Sequence, residues 1–210
     1  MIPLNQNLML LRRSGIRRYT ELAASVPDCI SLALGEPGFD TPQPIRDAAC
    51  AALSGGQTHY APNQGTADLR SAIADYETQR GMPITPTQVL VTAGATGALF
   101  TALLGILNPG DEVIVPVPAF PLYESIVTMA GARLVPLVTQ PDGFQIRPAA
   151  LAAVMSPRTK AIILNSPNNP TGIVYDAASL AAVKAAILGK PIFLLCDNVY
   201  DRLCAEPCPD

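Results

Sequence analysis

The chain has 210 residues, 49% of them apolar and 15% charged, which is enough to build a sizeable core in one domain or two small ones and excludes a disordered chain. A net charge of −3 and a pI near 5.1 exclude the basic footprint of a nucleic-acid binder. No apolar stretch approaches the roughly 20 residues that cross a bilayer, and the first arginines follow a short apolar patch instead of preceding one, so neither a membrane span nor a signal peptide is expected.

In chain order, helical patterns are expected near residues 43–53 and 66–79, with "THYAPNQG" (58–65) as a loop carrying Tyr60 and Asn63 between them. From about residue 88 onward, short β-branched runs alternate with alanine-rich segments. The strands predicted are "VLVT" (89–92), "EVIVP" (112–116), "RLVPL" (133–137), "AIILN" (161–165) and "IFLLC" (192–196). Helices are predicted near 96–107, 120–130, 148–155 and 177–188. Most of the strand runs are continuously apolar, as strands buried on both faces are, and the alternation predicts an α/β fold with a mainly parallel sheet. In such sheets ligands bind beyond the carboxyl ends of the strands, so those ends are where chemistry is sought.

"VTAGATGAL" (91–99) reads as a strand, a glycine turn and a helix start. The amides around Gly94, Ala95 and Thr96 would suit an anion at a helix N-terminus, or the segment is an ordinary turn with Thr96 near the N-cap, or a dinucleotide-binding turn without the full G-x-G-x-x-G spacing. "PVPAFPLYES" (116–125) puts Phe120 and Tyr123 behind a strand, either as core aromatics or as a face for a flat ring. "NSPNNPTG" (165–172) packs three asparagines and two prolines behind "AIIL" and is at least a turn. "DNVY" (197–200) leaves Asp197 at the mouth of a buried strand, where it needs a partner. A protonated heteroaromatic nitrogen would serve, as would the amides of a following helix. Tyr200 would lie beside it. Five cysteines (Cys29, Cys50, Cys196, Cys204, Cys208) and the single His59 show no metal-ligand spacing, and point to a reduced, cytoplasmic protein.

Together these segments, from "SLALGEPGFDTP" (31–42) through "AIILNSPNNPTG" to "LLCDNVYDRL" (194–203), resemble the class I/II, fold-type I pyridoxal-phosphate-dependent aminotransferases. The resemblance covers nearly the whole chain. It implies a three-layer α/β/α large domain over residues 41–210, incomplete at its C-terminus, preceded by an arm and small-domain segment over 1–40. It also implies the cofactor pyridoxal 5'-phosphate, amino acid and 2-oxo acid substrates, and a homodimer. Gly94, Ala95 and Thr96 match the phosphate-holding helix start, and Phe120 the aromatic that stacks on the pyridine ring. Asn169 and Tyr200 match the contacts to the ring's 3-oxygen, and Asp197 the carboxylate that pairs with the ring nitrogen. Gly35, with Asn169, matches the substrate-carboxylate site, and Tyr60 a residue that reaches the neighbouring subunit's phosphate.

The same resemblance implies a Schiff-base lysine downstream of the Asp-x-x-Tyr motif, and the ten residues "DRLCAEPCPD" after Tyr200 contain none. Lys160, Lys184 and Lys190 all precede Asp197. A truncated chain, inactive alone and prone to associate through unpaired strand edges, is therefore expected. A non-catalytic cofactor-binding or assembly partner of a full-length relative, and a fragment of a carbon–sulfur lyase on the same scaffold, are the alternatives.

Overall fold

The computed structural model describes residues 2–11, 15–32 and 35–204, so Cys208 lies outside the described residues. They gather into two compact units: Met1–Arg12 with Glu77–Pro83 and Val91–Asp210, and Arg13–Tyr76 with Ile84–Leu90. No helix among the described residues is long and apolar enough to cross a membrane.

The first unit holds a four-stranded parallel sheet in the order β2-β1-β3-β4, with β1 at Glu112–Val117, β2 at Arg133–Val138, β3 at Thr159–Asn165 and β4 at Phe193–Asp197. All four lie where the apolar runs predicted them. The two central strands are buried almost throughout, while the edge strand β2 alternates between exposed and buried positions, as a strand half-covered at an edge does.

Helices cover both faces. On one, α5 (Gly94–Ile106) and α6 (Leu122–Met129) pack Leu103, Tyr123 and Ile126 against Val113, Val115, Ala161 and Ile163. On the other, Leu151 of α7 (Pro148–Val154) and Val183 of α8 (Ala177–Ile187) pack against Ile114, Ile162 and Leu164. Alternate residues of β1 and β3 thus feed opposite layers, as the two-residue period of a strand requires. The chain runs from β1 outward to β2, then returns across β1 to build β3 and β4. Reversal of direction with right-handed crossovers sends α6 to one face and α7 and α8 to the other. It also opens a crevice at the carboxyl ends of β1 and β3, the switch point of the sheet.

The run "VLVT" at 89–92 is a correction. It does not form a strand: Val89 is extended (φ −100°, ψ 129°), but the segment joins no ladder of the sheet. Its β-branched residues give it strand propensity, yet a strand exists only by pairing, and no neighbouring strand is present among the described residues. The edge of β4 away from β3 is likewise unpaired among the described residues, and Phe193 and Leu194 on it are 48% and 41% exposed.

Two helices escaped the sequence. The short α1 (Gln6–Met9) is started by the Asn5 side chain, which accepts from Asn7 N at 2.8 Å, and Asn7 Nδ2 donates to Met129 O at 3.3 Å. In the second unit, α2 (Gly15–Ala24) precedes the expected α3 (Gln43–Ser54); α4 (Ala67–Gln79) begins there and ends in the first. The second unit buries little: Ile45, Leu53 and Leu69 are all largely exposed.

At the amino end of β1, Glu112 is only 1% exposed and carries a clustered ion pair. Its Oε1 accepts from Arg133 at 2.8 Å and from Arg158 Nε at 2.8 Å, and Oε2 accepts from the Ser156 hydroxyl at 2.6 Å. The Arg133 bond, then the Ser156 bond, then Arg158 draw its pKa down from 4.5 to about 2 against the opposing effect of burial. Because the folded-state value is depressed, its stabilising share is complete above pH 4.5 and is lost as pH falls toward 2. Both guanidiniums are well exposed, so Glu112→Gln should cost about 2 kcal/mol, less than the roughly 3–5 kcal/mol of a fully buried pair. Urea melts at pH 7 and pH 3 should show the variant's deficit shrinking at the lower pH; an equal deficit at both would remove the ionic explanation.

Candidate functional site

The crevice predicted by the sheet reversal is a cleft of about 280 Å³ lined by Ala95, Thr96, Phe120, Asn165, Asn169, Asp197 and Tyr200 among others. Seven sequence-predicted residues bear on it. Ala95, Thr96, Phe120, Asn169, Asp197 and Tyr200 line it, and Gly94 starts the helix that carries the first two.

Gly94 has φ +71°, a left-handed turn that suits glycine, and an added Cβ there would meet nothing within 4 Å. The N-cap of α5 is Ala93, which has no side-chain oxygen, and Thr96 lies inside the first turn; it is not the cap. The first-turn amides of α5 therefore have neither intrahelical acceptors nor a side-chain cap, and the helix dipole adds positive potential at the cleft wall.

Behind β1, Phe120 and Tyr123 meet edge to face, with centroids 5.7 Å apart and planes at 87°. Tyr123 is 1% exposed, and its hydroxyl donates to Asp197 Oδ2 at 2.6 Å. Burial first, and the bond to Asp197 second, hold its phenol well above the ordinary tyrosine range, so it remains a donor. Among the described residues, the other carboxylate oxygen of Asp197, Oδ1, accepts only a long bond from Val199 N at 3.3 Å. Asp197 does not cap the next helical turn, which begins at Asp201 with Tyr200 as its N-cap.

After β3, Asn169 Nδ2 donates to the Tyr200 hydroxyl at 3.2 Å, so the two groups converge from separate strand ends. Asn165, which the sequence did not single out, lies beneath them: its Nδ2 donates to Asp197 O at 2.8 Å and its Oδ1 accepts from Asn169 N at 2.7 Å. Its signal was a polar residue closing an apolar strand.

Gly35 and Tyr60 belong to the other unit. Tyr60 is fully exposed, and an added Cβ on Gly35 would meet nothing within 4 Å. No lysine among the described residues lines the cleft. Lys160 Nζ sits 5.6 Å from the Phe193 ring, and Lys184 lines a second cleft of about 360 Å³ with Leu164, Leu180, Val183 and Leu194. Arg80, Ser166, Tyr175, Asn198 and Asp201 also line this second cleft, but none of the sequence-predicted site residues does.

Residues 27–210 match the family model for "Aminotransferase class I and II". The aspartate/prephenate aminotransferase of Thermus thermophilus is 38% identical over 207 residues, covering 98% of this chain and 51% of the relative. That of Cereibacter sphaeroides is 41% identical over 186 residues, covering 87% and 46%. Among solved structures, aspartate aminotransferase from Thermus thermophilus with maleate superposes at a TM-score of 0.94 with 36% identity, over 99% of this chain and 56% of that one. The chain spans about half the length of the curated relatives it matches.

Proposed function

Because the chain belongs to the class I and II aminotransferases, we propose that it forms the cofactor-holding part of a pyridoxal-5'-phosphate-dependent enzyme that moves an amino group between an amino acid and a 2-oxo acid. The convergence of Asp197, Tyr200 and Asn169 on one cleft, facing the uncapped start of α5, carries this proposal. When bound, the cofactor supplies an electron sink for the substrate's α-carbon.

The donor set fits it. The amides of Ala95 and Thr96 suit a phosphate, and Phe120 offers an aromatic face. Asn169 Nδ2 and the Tyr200 hydroxyl suit a phenolic oxygen. Asp197, with Oδ2 satisfied by Tyr123, presents Oδ1 to a protonated ring nitrogen and favours the charged form of that ring. Residues 41–210 are the cofactor domain in this scheme, and residues 1–40 an arm and small-domain segment. Gly35 and Asn169 serve the substrate carboxylate. The exposed Tyr60 is available to the phosphate of a second subunit, as a homodimer needs.

On this reading none of Lys160, Lys184 and Lys190 bonds the cofactor, so the 210 residues would bind it without a covalent bond and without turnover. A carbon–sulfur lyase outcome is the second reading, since one scaffold and one cofactor cleft serve several reactions.

Titration of the chain with pyridoxal 5'-phosphate, followed by absorbance, should show saturable binding, and Asn169→Ala should weaken it about tenfold. Borohydride should leave no adduct on Lys160, Lys184 or Lys190. Absence of saturable binding, or an adduct on one specific lysine, would overturn the proposal.

A further inference from the structure

We propose that Asn165 is a positioning residue that fixes Asn169 and Asp197 relative to each other and thereby sets the protonation of the cofactor's ring nitrogen. The second clause rests on the cofactor function proposed above.

Asn165 is the last residue of β3, 3% exposed, and stands in register with Asp197, the last residue of β4. The ladder between the two strands ends at this pair. Beyond it the chains diverge into the two loops that carry Asn169 and Tyr200, where no sheet hydrogen bond can hold them. The Asn165 side chain takes over. One half of its amide donates to Asp197 O at 2.8 Å, and the other half accepts from Asn169 N at 2.7 Å. A primary amide offers a donor and an acceptor at this short reach, which neither a carboxylate nor an aliphatic side chain does.

The other buried polar side chains among the described residues serve local structure. Asn168 bonds Thr171 in its own turn, Thr139 bonds Val117 O, Thr159 accepts from Ser156 N, Ser179 bonds the Gln145–Ile146 segment, and Glu112 holds its arginines. Asn165 alone among them joins two cleft residues.

The orientation of Asp197 then rests on Asn165 at its main chain and Tyr123 at its carboxylate, with a longer bond from Val199 N to Oδ1. Removing the main-chain support lets Asp197 Oδ1 leave the position from which it would face the ring nitrogen. A side chain that merely filled space would give no such effect.

The test uses the whole chain with Asn165→Leu, which removes both bonds, and Asn165→Asp, which keeps an acceptor for Asn169 N but sets a carboxylate against Asp197 O. Without cofactor, hydrogen exchange at the Asn169 amide should quicken about tenfold in Asn165→Leu and stay near the parent rate in Asn165→Asp, with Ile114 unchanged in both. With pyridoxal 5'-phosphate labelled with 15N in the ring, the bound parent should show a protonated nitrogen, and both variants should lose that signal. A purely structural Asn165 would lower the melting temperature while leaving the nitrogen of the bound cofactor as in the parent, which would overturn the proposal. If the parent binds no cofactor, the function proposed above falls together with the claim about the ring nitrogen. The exchange rate then decides the clasp, and an unchanged Asn169 amide in Asn165→Leu overturns it in either case.

Discussion

Asp197→Asn is expected to weaken pyridoxal 5'-phosphate binding by about 10- to 100-fold, the worth of one hydrogen bond to a charged group at roughly 1.5–3 kcal/mol. The substitution is chosen because it retains an oxygen to accept from the Tyr123 hydroxyl at 2.6 Å and alters little in volume. Asp197→Ala would instead leave that buried phenol without an acceptor and mix folding with binding. An analogue with carbon in place of the ring nitrogen gives the decisive control. It has no cation for Asp197 to hold, so parent and variant should bind it alike. An equal loss of affinity for both ligands would mean that Asp197 shapes the cleft without pairing with the ring nitrogen.

Much of this arrangement was legible in the residues, because each strand end carries its chemistry in order. β1 and β3 showed as apolar runs since burial on both faces leaves few polar positions, and β4 showed as one although it is largely exposed. The residues directly after these strands are among those that line the cleft. Asp197, with Tyr200 beside it, could be singled out because a charge at such a place needs a partner, whereas Asn169 was picked out of its loop by the resemblance to the aminotransferases. Which partners they take was not legible. The register that sets Asn165 opposite Asp197 depends on how β3 slides along β4, and no local pattern states it. Tyr123 read first as core with a ring-stacking role left open, and its packed ring against Ile126 and Val127 also carries a hydroxyl bonded to Asp197. Residues 89–92 failed for the converse reason, since propensity is local and strand pairing is not.

Leu103→Ala should cost about 3–4 kcal/mol of unfolding free energy, whereas Leu194→Ala should cost under about 1 kcal/mol. The contrast follows from where the layers close. Leu103 is 0% exposed and sits in the helical layer over β1 and β3, packed with Val113, Ile126 and Ala161, so the cavity left by truncation has rigid walls on every side. Leu194 lies on β4 at 41% exposure, and its site is open enough to fill with water at little loss. Urea unfolding midpoints of the two variants against the parent measure the difference, and similar costs would show that β4 is as firmly packed as the centre of the sheet. The consequence for the cleft is direct. Asp197 and Tyr200 hang from the least covered strand, so their placement depends on side-chain bonds to better-buried elements: Tyr123 from α6, and Asn165 and Asn169 at the end of β3. Leu194→Ala should therefore disturb the position of Asp197 more than it disturbs global stability, while Leu103→Ala should lower stability with the cleft geometry of the folded fraction unchanged.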